Sequence, residues 1–192
     1  MKKILSFLLC LSVASSLCIP SFALDVNNTS SVENEITIST IPIEQLFQGD
    51  YWTILYDEIN TTPITPTTLN REASTRADTM YTRLVIGYNR PDKRLAVGIT
   101  NYVPSGTPYL FFSMSGKIWV VDEESYEVII DGRDFTETNI IPDTSINTTA
   151  AIENIGLFKG EKISVTVSGT CAVSADIKIV PFSQTAHCVV SV

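Results

Sequence analysis

From Met80 onward the chain is a succession of short runs rich in β-branched and aromatic residues, each alternating in polarity and each bounded by Gly, Pro, Asn or Asp. A two-residue period is compatible with strands and incompatible with amphipathic helices. The pattern predicts strands over 83–88, 94–100, 109–114, 117–121, 126–131, 162–168, 173–180 and 186–192. So many strands within 80–192 are expected to form an all-β domain, a single antiparallel β-sandwich of jelly-roll-like or Ig-like type. No fixed period recurs, which argues against a solenoid or a propeller.

Ser115-Gly116, between two apolar runs, reads as a two-residue hairpin turn that pairs Phe112 with Trp119 and Leu110 with Val121. A second turn over 122–125 then pairs Val121 with Tyr126 and completes a three-stranded meander. Its expected core face carries Leu110, Phe112, Met114, Trp119, Val121, Tyr126, Val128 and Ile130. The reverse face, with Tyr109, Phe111, Ile118, Val120 and Ile129, is also apolar and requires a cover. The segment around Tyr51, Trp52 and Tyr56 is the expected cover, with a second copy of the protein or a ligand as alternatives, and a slip of one residue in register would exchange the two faces.

Ahead of these strands, residues 24–79 are rich in Asn, Ser, Thr and Pro and read as a partly disordered N-terminal arm or linker. A candidate docking segment lies at 41–59, where Ile43, Leu46, Phe47, Trp52, Leu55 and Tyr56 can bury a face. Residues 1–23 have a different character. Lys2 and Lys3, an apolar stretch over 4–19 and the small residues of Ser21-Phe22-Ala23 follow the order of a secretory signal peptide, with cleavage expected after Ala23. Serines and Pro20 interrupt the apolar run, which is short for a bilayer, and every later apolar segment is broken by charge. The expected product is secreted, or periplasmic where the source has an outer membrane, and carries no membrane anchor. A lysine-rich start directly followed by an apolar region is typical of bacterial export signals.

Removal of the leader changes both charge and cysteine content. The full chain has 13 basic and 21 acidic side chains; without Lys2 and Lys3 the balance is 11 against 21, a net charge of −10. Such a surface repels phosphate backbones, so no nucleic-acid partner is expected. Cys10 and Cys18 leave with the leader, and Cys171 and Cys188 remain. In an oxidising compartment these two are expected to form a disulfide, with a pair of buried free thiols as the alternative. Neither C-x-x-C spacing nor a histidine cluster is present, so no metal and no cofactor is expected.

Candidates for chemistry are sparse. His187 is the only histidine, and on an alternating strand it faces away from Cys188, leaving Cys171 as its one thiol partner for nucleophilic catalysis. The acidic runs Asp122-Glu123-Glu124 and Asp131-Gly132-Arg133-Asp134 read as solvated turns. Tyr102, Tyr109 and Phe111, beside the loop over 104–108, are the candidate aromatic platform for a ligand. The reading that follows is a secreted, non-enzymatic binding or adhesion module for a cell-wall or surface glycan, a peptide or a protein surface. Two alternatives are a small hydrolase with paired carboxylates and an assembly protein that pairs through its arm or a strand edge.

Overall fold

The computed structural model describes residues 36–39, 42–49, 51–64, 78–174 and 177–191. The segment expected to be an export leader, residues 1–23, and residues 24–35 and 65–77 of the expected arm lie outside them. Unit 33–192 holds all the described residues and contains β1 (Ile36–Ser39), α1 (Ile43–Leu46), β2 (Trp52–Ile64), β3 (Asp78–Asn89), β4 (Arg94–Tyr102), β5 (Phe111–Asp122), β6 (Val128–Asp143), β7 (Ser145–Ile152), β8 (Lys162–Val173) and β9 (Lys178–Val189). They form two antiparallel sheets, one in the order β1-β7-β4-β3-β2 and one in the order β6-β5-β8-β9. The sheets pack face to face as an all-β sandwich, as the alternation predicts.

Strand β9 shows why the sequence folds this way. Val180, Phe182, Gln184, Ala186 and Cys188 are buried, and Pro181, Ser183, Thr185 and His187 between them are exposed. The period of two therefore delivers one apolar face to the core. The core joins Leu84, Ile86, Leu95, Val97, Ile99, Ile146 and Ile152 of the first sheet to Met114, Ile118, Val120, Ile163, Val165 and Val167 of the second. Among the buried polar groups, Thr82 donates to Asn101, Asn101 Nδ2 donates to Met114 Sδ at 2.9 Å, and Thr148 donates to Glu137 at 3.0 Å.

Strand β5 corrects the expected hairpin. It runs unbroken through Ser115 and Gly116, pairing with β6 on one side and β8 on the other. Gly116 lies opposite Gly169 of β8, Phe135 of β6 lies opposite Gly116, and Phe182 of β9 lies opposite Gly169. The row across the sheet is therefore Phe, Gly, Gly, Phe. A Cβ on Gly116 would stand 2.8 Å from the Phe135 ring, and one on Gly169 would stand 2.9 Å from the Phe182 ring. The glycines make room for two buried rings from the edge strands, which is a mid-strand use of glycine and not a turn.

With no turn at 115–116 the expected faces mix: Met114 and Ile130 keep their core positions, and a register shift between Phe111 and Ser113 changes the phase of the alternation within β5. Met114, Ile118 and Val120 are buried, as are Tyr109 and Phe111, whereas Phe112, Tyr126 and Val128 are exposed and Trp119 is half-buried on the outside. The five-stranded sheet covers the face thought to need a cover. The second turn does occur, but Val121 pairs with Val128 and not Tyr126.

The described residues 42–49 form a strap between β1 and β2, two strands that lie at opposite edges of the five-stranded sheet. Crossing four inter-strand gaps means spanning about 19 Å. This strap packs on the outer surface of the sheet. Ile43 sits over Gly98, 2.7 Å from where a Cβ would be, and the Phe47 ring sits over Gly87 in the same way at 2.5 Å. Phe47 also meets Trp52 edge-on, with ring centroids 5.3 Å apart. Cover on both sides explains why Leu95, Ala96, Val97, Gly98 and Ile99 are all buried, a run with no alternation.

Candidate ligand-binding site

On the outer surface of the five-stranded sheet, the registers place Ser145, Tyr102, Tyr81 and Thr61 in one row across β7, β4, β3 and β2. The next outward row is Asn147, Thr100, Arg83 and Ile59. Pro42, Ile43 and Glu44 of the strap stand beside these rows and turn them into an open cleft of about 430 Å³, with Ile59, Arg83, Thr100, Tyr102, Ser145 and Asn147 as its other lining residues. That volume falls within the range of roughly 300–1,000 Å³ common to small-molecule sites.

Two features give the cleft its chemistry. Tyr81 and Tyr102 stack with centroids 5.2 Å apart and planes within 17°, an offset pair that holds both rings in place. Beside them, Arg83 donates from Nε and Nη2 to the two carboxylate oxygens of Asp57 at 2.9 and 2.8 Å, and from Nη1 to Glu44 at 3.3 Å. The bidentate pair fixes the guanidinium plane. The Arg83 hydrogen bonds hold the Asp57 carboxyl below its ordinary value of 3.8, and Asp57 in turn raises Arg83. Glu44 therefore ties the strap to the floor of the cleft.

The expected aromatic platform is not assembled. Tyr102 lines the cleft, but Tyr109 is 5% exposed and Phe111 is fully buried, both in the core. Lys178 Nζ lies 3.2 Å from the Tyr109 hydroxyl and 5.1 Å from its ring centroid, capping a ring that has no free face toward solvent on that side. The partner of Tyr102 is Tyr81, two residues before Arg83 on the same face of β3. That i, i+2 relation was legible, but its opposition to Tyr102 required the β3–β4 register.

The expected disulfide is also corrected. Cys171 and Cys188 are both buried and free. Cys171 lies opposite Val180, and Cys188 lies opposite Ile163, so eight ladder positions, about 27 Å, separate them. A disulfide requires Cα atoms within about 7 Å. Burial pushes the Cys171 thiol up to about 12 and the Cys188 thiol up to about 11, the latter with help from Glu123. His187, opposite Ser164, points outward to the Glu123 carboxylate, so it faces neither thiol.

The acidic runs do local work. Asp122 accepts from the backbone of Glu124 at 2.7 Å and of Ser125 at 3.2 Å, and from the Ser125 hydroxyl at 2.8 Å, which shapes the β5–β6 turn and lowers its carboxyl. Asp134 pairs with Lys117 at 3.4 Å. Among the described residues no three His, Cys, Asp or Glu side chains converge as a metal site would require. Searches against protein families, curated proteins and solved structures find no match to this chain.

Proposed function

We propose that this chain is an exported, non-enzymatic binding module that holds a surface or cell-wall glycan in the cleft between the strap and the five-stranded sheet. The observation that carries the reading is Tyr102, which lines the cleft beside the planar Arg83 clamp and is held in place by its stack on Tyr81. Sugar rings present apolar C–H faces that pack on aromatic rings, and an edge of hydroxyls that suits fixed, planar hydrogen-bonding groups. Export rests on the Lys2-Lys3 start, the apolar stretch and the small residues before Leu24. A hydrolase would need one carboxyl held protonated near neutral pH. Glu44, the carboxylate that lines the cleft, and Asp57 both contact Arg83, and Asp57 is shifted the opposite way.

A glycan array probed with the purified protein tests the reading. Binding to at least one cell-wall or surface glycan is expected, and Tyr102→Ala should weaken it by up to about tenfold, in line with the roughly 0.5–1.5 kcal/mol that an aromatic contact contributes. Binding that survives Tyr102→Ala unchanged, with the fold intact by circular dichroism, would move the site elsewhere.

A further inference from the structure

The two ends of the sandwich differ in charge and in what they expose. We infer that the end formed by the β4–β5 loop, the close of β6 and the β8–β9 turn docks on a zwitterionic lipid bilayer through exposed isoleucines. The contact is peripheral, and it is independent of the glycan reading.

The antiparallel registers bring these segments together. Phe111 pairs with Asp143 of β6 and with Val173 of β8, which pairs with Lys178 of β9; Thr138, Ser113, Ala172 and Ile179 are joined in the same way. Between Thr138 and Asp143, β6 has four residues where β5 has only Phe112, so the β6 chain bulges. Asn139 pins the base of the bulge, its Nδ2 donating to the Phe111 carbonyl at 3.1 Å and to the Ser145 carbonyl at 2.9 Å. Ile140 and Ile141, next along the bulge, are 98% and 80% exposed. At the other edge of the sheet, three inter-strand gaps or about 14 Å away, Ile177 and Ile179 are exposed too, with the exposed Phe112 between the two pairs. Ile177 has φ 43°, a left-handed backbone that glycine adopts freely and a β-branched residue resists. An isoleucine there costs the fold stability, and a contact made outside the fold accounts for it.

Charge separates this end from the other. Among the described residues of 103–110, 139–144 and 174–177, Asp143 is the only charged one. The connections at the opposite end, 90–93, 123–127 and 153–161, hold nine charged side chains, and the aromatics exposed there, Tyr126 and Phe158, each adjoin one, Glu127 and Lys159. A stable protein partner needs about 20–30 residues a side, which five apolar side chains on separate prongs do not supply. Hydrocarbon is fluid and closes around each prong, removing its apolar area from water without a matching surface. The net charge of −8 opposes anionic lipid, which leaves zwitterionic headgroups as the fitting surface.

Flotation of the purified protein with vesicles of phosphatidylcholine, and with vesicles of equal parts phosphatidylcholine and phosphatidylglycerol, tests this. Binding to phosphatidylcholine is expected, unchanged by high salt, and weaker on the mixed vesicles at low salt. Ile140→Ser/Ile141→Ser, at two exposed positions outside the core and the cleft, should lower vesicle affinity about tenfold or more with the circular dichroism spectrum unchanged. Phe158→Ser at the opposite end should leave affinity as it was. Ile177→Gly should lower affinity about threefold without lowering the urea midpoint. Absence of flotation with phosphatidylcholine, flotation with the mixed vesicles alone, or undiminished flotation of Ile140→Ser/Ile141→Ser would each overturn the proposal. A dimer in sedimentation velocity that dissociates in that variant, with no vesicle binding, would assign this end to a second copy and overturn the bilayer.

Discussion

At the scale of single residues, the two cysteines show how burial sets reactivity. A thiolate is the reactive species, and both thiols here are held protonated by their apolar surroundings, up to about 12 for Cys171 and about 11 for Cys188. Iodoacetamide at pH 8 should therefore leave the native protein unlabelled, and labelling of both sites should appear on adding denaturant, read by intact mass. Rapid native labelling, or an intact mass two hydrogens light in the unlabelled protein, would contradict the placement of Cys171 and Cys188 at opposite ends of the β8–β9 ladder. The sequence alone left both readings open, because two cysteines seventeen positions apart satisfy either. What decides between them is where the β8–β9 turn falls. With the turn after Val173, Cys171 lies close to it while Cys188 is carried to the far end.

Among the elements, the strap is the one whose removal would alter the site most. Its hold on the sheet comes from Ile43 over Gly98, Phe47 over Gly87 and Glu44 on Arg83. Gly98→Val would put methyl groups where Ile43 now sits, since even a Cβ there falls 2.7 Å from Ile43 Cγ1. The expected results are a loss of about 1–3 kcal/mol in urea unfolding and a new site of limited proteolysis within residues 40–51, mapped by mass spectrometry. An unchanged cleavage pattern would mean that Ile43 contributes little to seating the strap. The apolar residues of this segment were visible in the sequence, but the glycines that receive them were not recognisable as a receiving surface until β3 and β4 were in register. The same limit explains the misplaced hairpin. Ser-Gly between apolar runs is a turn signature in isolation, and only Gly169, more than fifty residues away and directly opposite, identifies Gly116 as a strand residue.

For the whole molecule, fold class was legible because alternation over many short runs admits few architectures, whereas pairing depended on contacts distant in sequence. Stability against pH should have an edge on each side. Asp57 and Asp122 have carboxyls lowered from 3.8, so their contribution is complete above that value and is lost as pH falls through it toward the folded-state values. Cys171 and Cys188 are raised from 9.0 to about 12 and about 11, so their contribution is complete below pH 9.0 and is lost as pH climbs toward those values. Tyr56, raised from 10.0 chiefly by burial, adds to the alkaline side. Urea midpoints measured from pH 2.5 to 11 should show a plateau between about pH 5 and 8.5 and a fall on both sides. In Cys171→Ala/Cys188→Ala the alkaline fall should become shallower; an identical alkaline limb in that variant would assign it to other groups. The row Phe135, Gly116, Gly169, Phe182 bears on how this architecture can change over time. A one-residue insertion or deletion in β6 or β9 between the nearer turn and its phenylalanine would swing that ring into solvent and leave a bare glycine beneath. Two-residue changes would restore its side of the sheet, so drift in length along these edge strands is channelled into even steps.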